Sequence, residues 1–444
     1  MTKDRAVLVE ATGGDATAVL QAAIDRTSAE GGGVVRLLAG EHVAGGLCLR
    51  SGVELNLAEG AVLRPIPDYD AFAGTTVSVI AEKSDRGMIV ARGARDVALT
   101  GPGRIAAGGG RFIVGEEAAM GTFVPAAHRP RVVVFESCRG VRLENLAVDD
   151  SPMWTLHLVD CEDVTVRKVR VSNNRRLPNT DGLVLDACRR ALIEDVVIST
   201  ADDGICLKTS AGPDGEAIGR CEDILVRRAE VASLSCALKV GTESFGDFSK
   251  IVFEDCRVVD SNRGLGLFSR DGGRIANVRF SRIDVDCRET PDGFWGSGEG
   301  LTVTVLDRRP GRRAGAVEDL VVEDITGRMQ GAIALVSASE AGIRNVSLAR
   351  IRLAQTPGDL GTALRYDMRP TGADLAPAPN AAGRANAWTL GADGRVVGLV
   401  DYPGGLPAVF VKGVEGLSTE DVVIGRPEPL PAGWNSADIV RQAR

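Results

Sequence analysis

One unit keeps returning in this chain: a polar turn followed by a short stretch in which apolar and polar residues alternate. It reads Trp154-Thr155-Leu156-His157-Leu158-Val159, then Asp181-Gly182-Leu183-Val184-Leu185-Asp186, then Asp203-Gly204-Ile205-Cys206-Leu207-Lys208. Cys236-Ala237-Leu238-Lys239-Val240-Gly241 and Arg263-Gly264-Leu265-Gly266-Leu267-Phe268 repeat it. Alternation with period two marks a β-strand with one buried face. Five such strands, separated by turns and further short strands, predict a solenoid. A length of 444 residues would otherwise suggest two or three globular domains. A solenoid escapes that limit because its core grows along one axis. Aromatic residues make up only 4% and glycines number 54, which suits narrow coils of aliphatic stacks and tight turns.

Stacking the copies gives columns. Leu156, Leu183, Ile205, Leu238 and Leu265 form one inward column, and Leu158, Leu185, Leu207, Val240 and Leu267 a second. His157, Val184, Cys206, Lys239 and Gly266 share an outward column, followed by Val159, Asp186, Lys208, Gly241 and Phe268. The turn column reads Trp154, Asp181, Asp203, Cys236, Arg263. Parallel strands lie about 4.8 Å apart, so this register brings Asp181 and Asp203 together on an open outer face, with Asp202 beside them in an exposed turn. Turn-capping is the competing role for such aspartates.

The rest of the chain is read around this array as a single domain over 1–444. Residues 15–30 form a helix that covers the first coil, with Asp15 or Thr17 as cap, an apolar stripe of Val19, Leu20, Ala23, Ile24 and Thr27, and Gly31-Gly32-Gly33 as its end. Residues 65–92 and 106–129 read as long loops suited to cleft walls. Regular coils are expected from about Val132 to Leu353, a loop-rich excursion at 355–405, a last coil from Pro407 to Ile424, and an irregular tail at 425–444. Cys138, Cys161, Cys188 and Cys221 begin the same pattern in successive coils. Nine cysteines without CxxC spacing argue for stacked small hydrophobes rather than zinc or a disulfide framework.

The net charge, 52 − 60 = −8, implies no general affinity for nucleic acid. No apolar run approaches the length of a membrane span. Met1 to Arg5 lacks the apolar region of a signal peptide, so the expectation is cytoplasmic if Met1 is the native start, and periplasmic or secreted if a leader was trimmed. No Ser/His/Asp triad, phosphate loop or zinc signature is found, and no cofactor or metal is expected. Histidine acid–base chemistry is left to His157 or a loop.

Ser151-Pro152-Met153-Trp154-Thr155-Leu156-His157, Asn179-Thr180-Asp181 and Ala201-Asp202-Asp203-Gly204 together resemble the family 28 glycoside hydrolases, the polygalacturonase-like enzymes. The resemblance covers about residues 10–355 and 405–425. It implies an all-β, right-handed, single-stranded parallel β-helix that hydrolyses glycosidic bonds with inversion. It also implies Asp202 as general acid, with Asp181 and Asp203 activating the water. Such chemistry needs one protonated carboxyl and one ionised carboxylate, and crowded like charges raise at least one pKa.

Two features depart from that pattern. The family's Gly-His-Gly histidine aligns with Cys236, and its Arg-Ile-Lys aligns with Gly266-Leu267-Phe268, so the cations credited with gripping galacturonate are missing. The expected substrate contacts are therefore Asn179, Lys208, Lys239, Glu243, Phe268, Arg270, Trp295 and Glu299, with Arg175, Arg176 and Arg263 also in reach. Trp154 reads as structural. The expected substrate is a pectic or related uronic-acid-containing oligosaccharide or polysaccharide, taken by something other than a standard endo-polygalacturonase. A calcium-dependent β-helical lyase using the same aspartates, and a non-catalytic glycan-binding solenoid, stand as alternatives.

Overall fold

The computed structural model describes residues 6–372 and 389–443. Two long parallel sheets run along the chain, one of 21 strands and one of twelve with an antiparallel thirteenth at its margin, among the described residues, and together they wind a right-handed parallel β-helix. Its core is the pair of inward columns. Leu156 pairs with Leu183, Leu183 with Ile205, Ile205 with Leu238 and Leu238 with Leu265, and all five side chains are fully buried. The same stack continues into one contiguous aliphatic core from Val9 to Val411. Phe253 lies flat on Phe280 at 4.9 Å, one coil apart.

The corners of each coil are set by residues in the left-handed region. Lys168, Asp195, Arg228, Asp255, Arg282, Asp324 and Arg350 follow corresponding residues of successive coils, all with φ between +50° and +56°. Aspartate tolerates that conformation better than most residues. Arginine takes it where the residue one coil below is aspartate: Arg228–Asp195, Arg282–Asp255 and Arg350–Asp324 each close to 2.7 Å. These pairs are solvent-exposed, so they add little to stability.

At the N-terminus the helix Thr17–Ala29 covers the first coil with Leu20, Ala23, Ile24 and Thr27. Asp15 Oδ1 accepts from the Thr17 amide at 2.8 Å. Val19, expected in the apolar stripe, is 53% exposed: it points away from the coil, and the buried stripe is narrower than the sequence suggested. The stretch 65–92 is no simple loop. It forms an antiparallel hairpin of Thr76–Ala81 and Ser84–Arg92, consistent with the alternating burial of Thr76 to Ala81. Within 106–129, Ile113–Glu117 and Thr122–Pro125 make a second hairpin.

In the excursion, Arg365–Asp367 pairs antiparallel with Leu399–Asp401. Tyr366, Tyr402 and Leu406 pack on Phe410 and Val336 of the solenoid wall. The part of the excursion at 373–388 lies outside the described residues. The tail, expected to be irregular, contributes the strand Ile439–Gln442, parallel to Val409–Lys412.

Candidate active site

The Asp-Gly turns bring the site together because only glycine lets successive coils approach there. A Cβ on Gly182 would stand 2.8 Å from the Gly204 carbonyl oxygen, and one on Gly204 2.6 Å from that of Ala237. The Gly182 amide instead bonds to the Asp203 carbonyl at 2.9 Å, which sets Asp181 directly beside Asp203. One carboxylate oxygen of each of Asp181, Asp202 and Asp203 lies within 4.8 Å of the others. All three border a cavity of about 130 Å³.

The cluster is not on an exposed turn, as expected from sequence. Asp181, Asp202 and Asp203 are 2%, 5% and 2% exposed, because Glu82 from the 76–92 hairpin and Arg369-Pro370 from the excursion help wall them in. Burial, then the charges of Asp202 and Asp203, holds the Asp181 carboxyl well above its ordinary range. Burial also opposes charge on Asp203, but the ammoniums of Lys239 and Lys208 outweigh it and keep that carboxyl below the ordinary value. Lys239 Nζ donates to Asp203 Oδ2 at 2.6 Å, and Ser235 Oγ to Oδ1 at 2.8 Å. Asp202 accepts from the amides of Asn179 (3.2 Å) and Asp203 (3.0 Å).

Lys208 occupies the outward position next to the cluster, 3.9 Å from both Asp181 and Asp203. Its ammonium stands over the Trp154 ring at 4.8 Å, so Trp154 borders the site as well as packing edge-on to His157 at 4.9 Å. The expected pairing of Lys208 with Gly241 is lost: the register shifts by two residues there, and Thr209 faces Ser244. This bulge delivers Glu243, which takes Lys208 Nζ at 2.7 Å. Burial opposes charge on Glu243, yet Lys208 and Arg308 hold it ionised, far below the usual range. Re-aiming a side chain is a recurrent use of bulges beside functional sites.

Asn179, Lys208, Lys239, Glu243, Phe268 and Trp295 all border the cavity. Lys239 is a buried ion-pair partner rather than a solvated lysine. Phe268 does not project as an exposed platform: it is buried, with Lys239 and Arg263 over its ring at 5.3 and 4.9 Å. Gly266 makes room for it, since a Cβ there would meet the ring at 2.4 Å and Cys236 Sγ at 2.7 Å. Burial pushes the Cys236 thiol up to about 12, leaving it inert.

Arg270 and Glu299 do not border the cavity. Arg270 is buried behind it, donating to the carbonyls of Met368 (3.1 Å), Pro370 (3.3 Å) and Thr304 (2.9 Å); it clamps the excursion to the wall. Glu299 accepts from the Ser297 amide at 2.6 Å and stands 3.7 Å behind Arg263. Arg175 pairs with Asp260 and Arg176 with Glu116. His157 is wholly buried between Arg131 and Asp186, where burial pushes its pKa down, so it plays no part at the cavity.

Sequence reasoning missed Arg308, Arg369 and Glu82. Arg308 arrives from the turn after Leu301–Val305 and makes a two-pronged pair with Asp271 at 2.8 and 2.5 Å; its Asp-Arg-Arg turn following an outward strand was a readable signal. Arg369 comes from the excursion, is held by Asp367 at 2.9 Å, and lies over the Trp295 ring at 5.3 Å. Glu82 comes from the tip of the 76–92 hairpin and accepts from Asn179 Nδ2 at 3.2 Å. Neither carries a local signal.

A β-helix with three aspartates converging from adjacent turns on one cavity defines a class of glycan-processing solenoid. The model of the glycosyl hydrolases family 28 matches residues 70–358, and the chain belongs to that family. A probable polygalacturonase of Vitis vinifera is 26% identical over 267 residues, covering 55% of this chain and 51% of the relative. The chain thus spans about half the length of the curated relatives it matches. An exopolygalacturonase from Thermotoga maritima superposes with TM-score 0.66 at 21% identity, over 80% of this chain and 88% of the other. A family 28 exopolygalacturonase of Yersinia enterocolitica gives 0.63 at 13% identity, over 99% and 78%.

Proposed function

We propose that this protein hydrolyses glycosidic bonds in a pectic or related uronic-acid-containing glycan, with Asp181, Asp202 and Asp203 as its catalytic residues. The observation that carries this reading is the convergence of three carboxyls on one cavity in unlike surroundings: Lys239 Nζ stands 2.6 Å from Asp203 and keeps that carboxyl below its ordinary value, whereas burial and the charges of Asp202 and Asp203 push Asp181 well above it. One carboxyl to give a proton and one carboxylate to accept it are what glycoside hydrolysis needs. In this reading Asp202 protonates the leaving oxygen, as the family pattern implies, and Asp203 activates the water.

Action at a chain end or on short oligosaccharides is part of this reading, because the aspartates are buried beneath side chains of the hairpin and the excursion. Trp295 and Arg369-Pro370 wall the cavity on one side and Glu82 and Asn179 on the other. The same three aspartates could hold a cation, the arrangement a calcium-assisted lyase would use. Two ammoniums already stand within 3.9 Å of them, and their charge supplies the compensation that a divalent ion would otherwise bring.

The test is digestion of pectic oligosaccharides with and without chelator, following reducing ends, unsaturated products and the anomer first formed. Chelator-insensitive reducing ends without unsaturation are expected; unsaturated products would establish the lyase instead, and no product from any pectic glycan would leave glycan binding alone. Inversion is the expected course. A retained anomer would make Asp203 the nucleophile and leave the hydrolase reading standing.

A further inference from the structure

The cations around the cavity are already spoken for by the protein's own carboxylates. Lys239 is paired with Asp203 at 2.6 Å, Lys208 with Glu243 at 2.7 Å and Arg308 with Asp271 at 2.5 Å. Arg263 and Arg369 share Asp367 at 3.0 and 2.9 Å. Glu243 is the most telling of these carboxylates. Its Oε2 meets Lys208 while its Oε1 stands 3.6 Å from Arg308, so it fills the place between two cations where a sugar carboxylate would be gripped. The two-residue bulge after Val240 exists in the fold at this point and puts it there. The neighbouring outward positions offer no replacement: Gly266 has no side chain, and Phe268 fills the space beside it.

We propose that the sugar ring seated beside the three aspartates is neutral, and that uronate units of the glycan lie outside this cavity. This rests on the hydrolase reading above and narrows its substrate. A ring of alternating carboxylates and cations suits hydroxyls, which donate to the former and accept from the latter, while the rings of Trp154 and Trp295 offer apolar surface to C–H faces. A uronate would bring a further carboxylate next to Asp202, Asp203 and Glu243, and an anion buried without a cation of its own is strongly disfavoured.

The test uses the full chain carrying Asp202→Asn, so that ligands are bound without turnover. Calorimetric titration compares D-galacturonate, its methyl ester, and the neutral sugars D-galactose, L-rhamnose, D-xylose and L-arabinose. At least one neutral sugar is expected to bind tenfold or more tightly than galacturonate, and the ester more tightly than the acid. Galacturonate as the tightest ligand, or no binding by any of them, overturns the proposal. A second variant, Glu243→Gln, frees Lys208 from its 2.7 Å partner and removes the carboxylate 3.6 Å from Arg308, and the preference should swing at least tenfold toward galacturonate; an unchanged ratio counts against the role given to Glu243. The hydrolase reading is judged separately, by reducing ends released from oligosaccharides by the unmutated chain. A protein that binds neutral sugars but releases no reducing ends keeps this inference and loses that reading.

Discussion

Lys239 Nζ and Asp203 Oδ2 stand 2.6 Å apart in a buried pair on adjacent coils, Asp203 at the turn and Lys239 on the strand that follows the next coil's turn. That contact fixes the charge of the carboxylate assigned to water activation. With Lys239→Met the burial penalty on Asp203 is offset by Lys208 alone, and its pKa rises. The acid limb of kcat/KM reports the essential base, so it should move to higher pH, and kcat should fall by about 10²-fold. Lys239→Arg should restore the position of the limb in part. An unshifted acid limb in Lys239→Met would remove Lys239 from this role.

Asp181 predicts a stability effect of opposite sign. Its folded pKa lies well above the ordinary 3.8, so above that value the folded state binds a proton the unfolded chain has lost. Stability then declines as pH rises. Asp181→Asn removes the penalty: its Tm should exceed the parent's by a few degrees near neutrality and match it below pH 3.8. A lower Tm at neutral pH would contradict the protonated assignment.

Gly266, Cys236 and Phe268 form one packing unit. Gly266→Ala overfills it, at a cost of about 1–3 kcal/mol, read as a fall in Tm together with loss of activity as the ring beneath Lys239 is displaced. Adding Phe268→Leu should recover much of the Tm without restoring activity. If Gly266→Ala alone is silent, the ring has room that the structure does not show.

Arg270 is a clamp rather than a ligand. Burial, with Arg308 and Arg263 nearby, pushes its guanidinium down to about 9, and carbonyl oxygens of the excursion are among its partners. Arg270→Met should loosen that wall, raising KM more than it lowers kcat and speeding limited proteolysis within 355–405. A pure kcat effect would instead point to direct participation.

The strand register was legible because side-chain alternation and Asp-Gly turns are local signals that repeat. Leu156, Leu183, Ile205, Leu238 and Leu265 could be aligned by eye, and Asp181 with Asp203 followed from them. Burial of that cluster was not legible, since its cover comes from Glu82 on one side and Arg369 on the other, 99 and 188 residues from Asp181 along the chain. The two-residue bulge at Gly241 was equally hidden: nothing in Val240-Gly241-Thr242-Glu243 announces that Thr209 will pair with Ser244, although that shift is what carries Glu243 to Lys208. Arg270 and Glu299 were misplaced for a related reason. A buried charge on a strand end looks, in sequence, like a charge facing a cleft.

The central question is whether the three aspartates do the chemistry. The direct measurement is the rate at which Asp202→Asn releases reducing ends from a pectic substrate of the unmutated chain, with the folded state checked by circular dichroism and Tm. A loss of about 10²–10⁴-fold in kcat at unchanged fold is predicted; a variant that keeps most of the parent's rate would place the reaction elsewhere in the molecule.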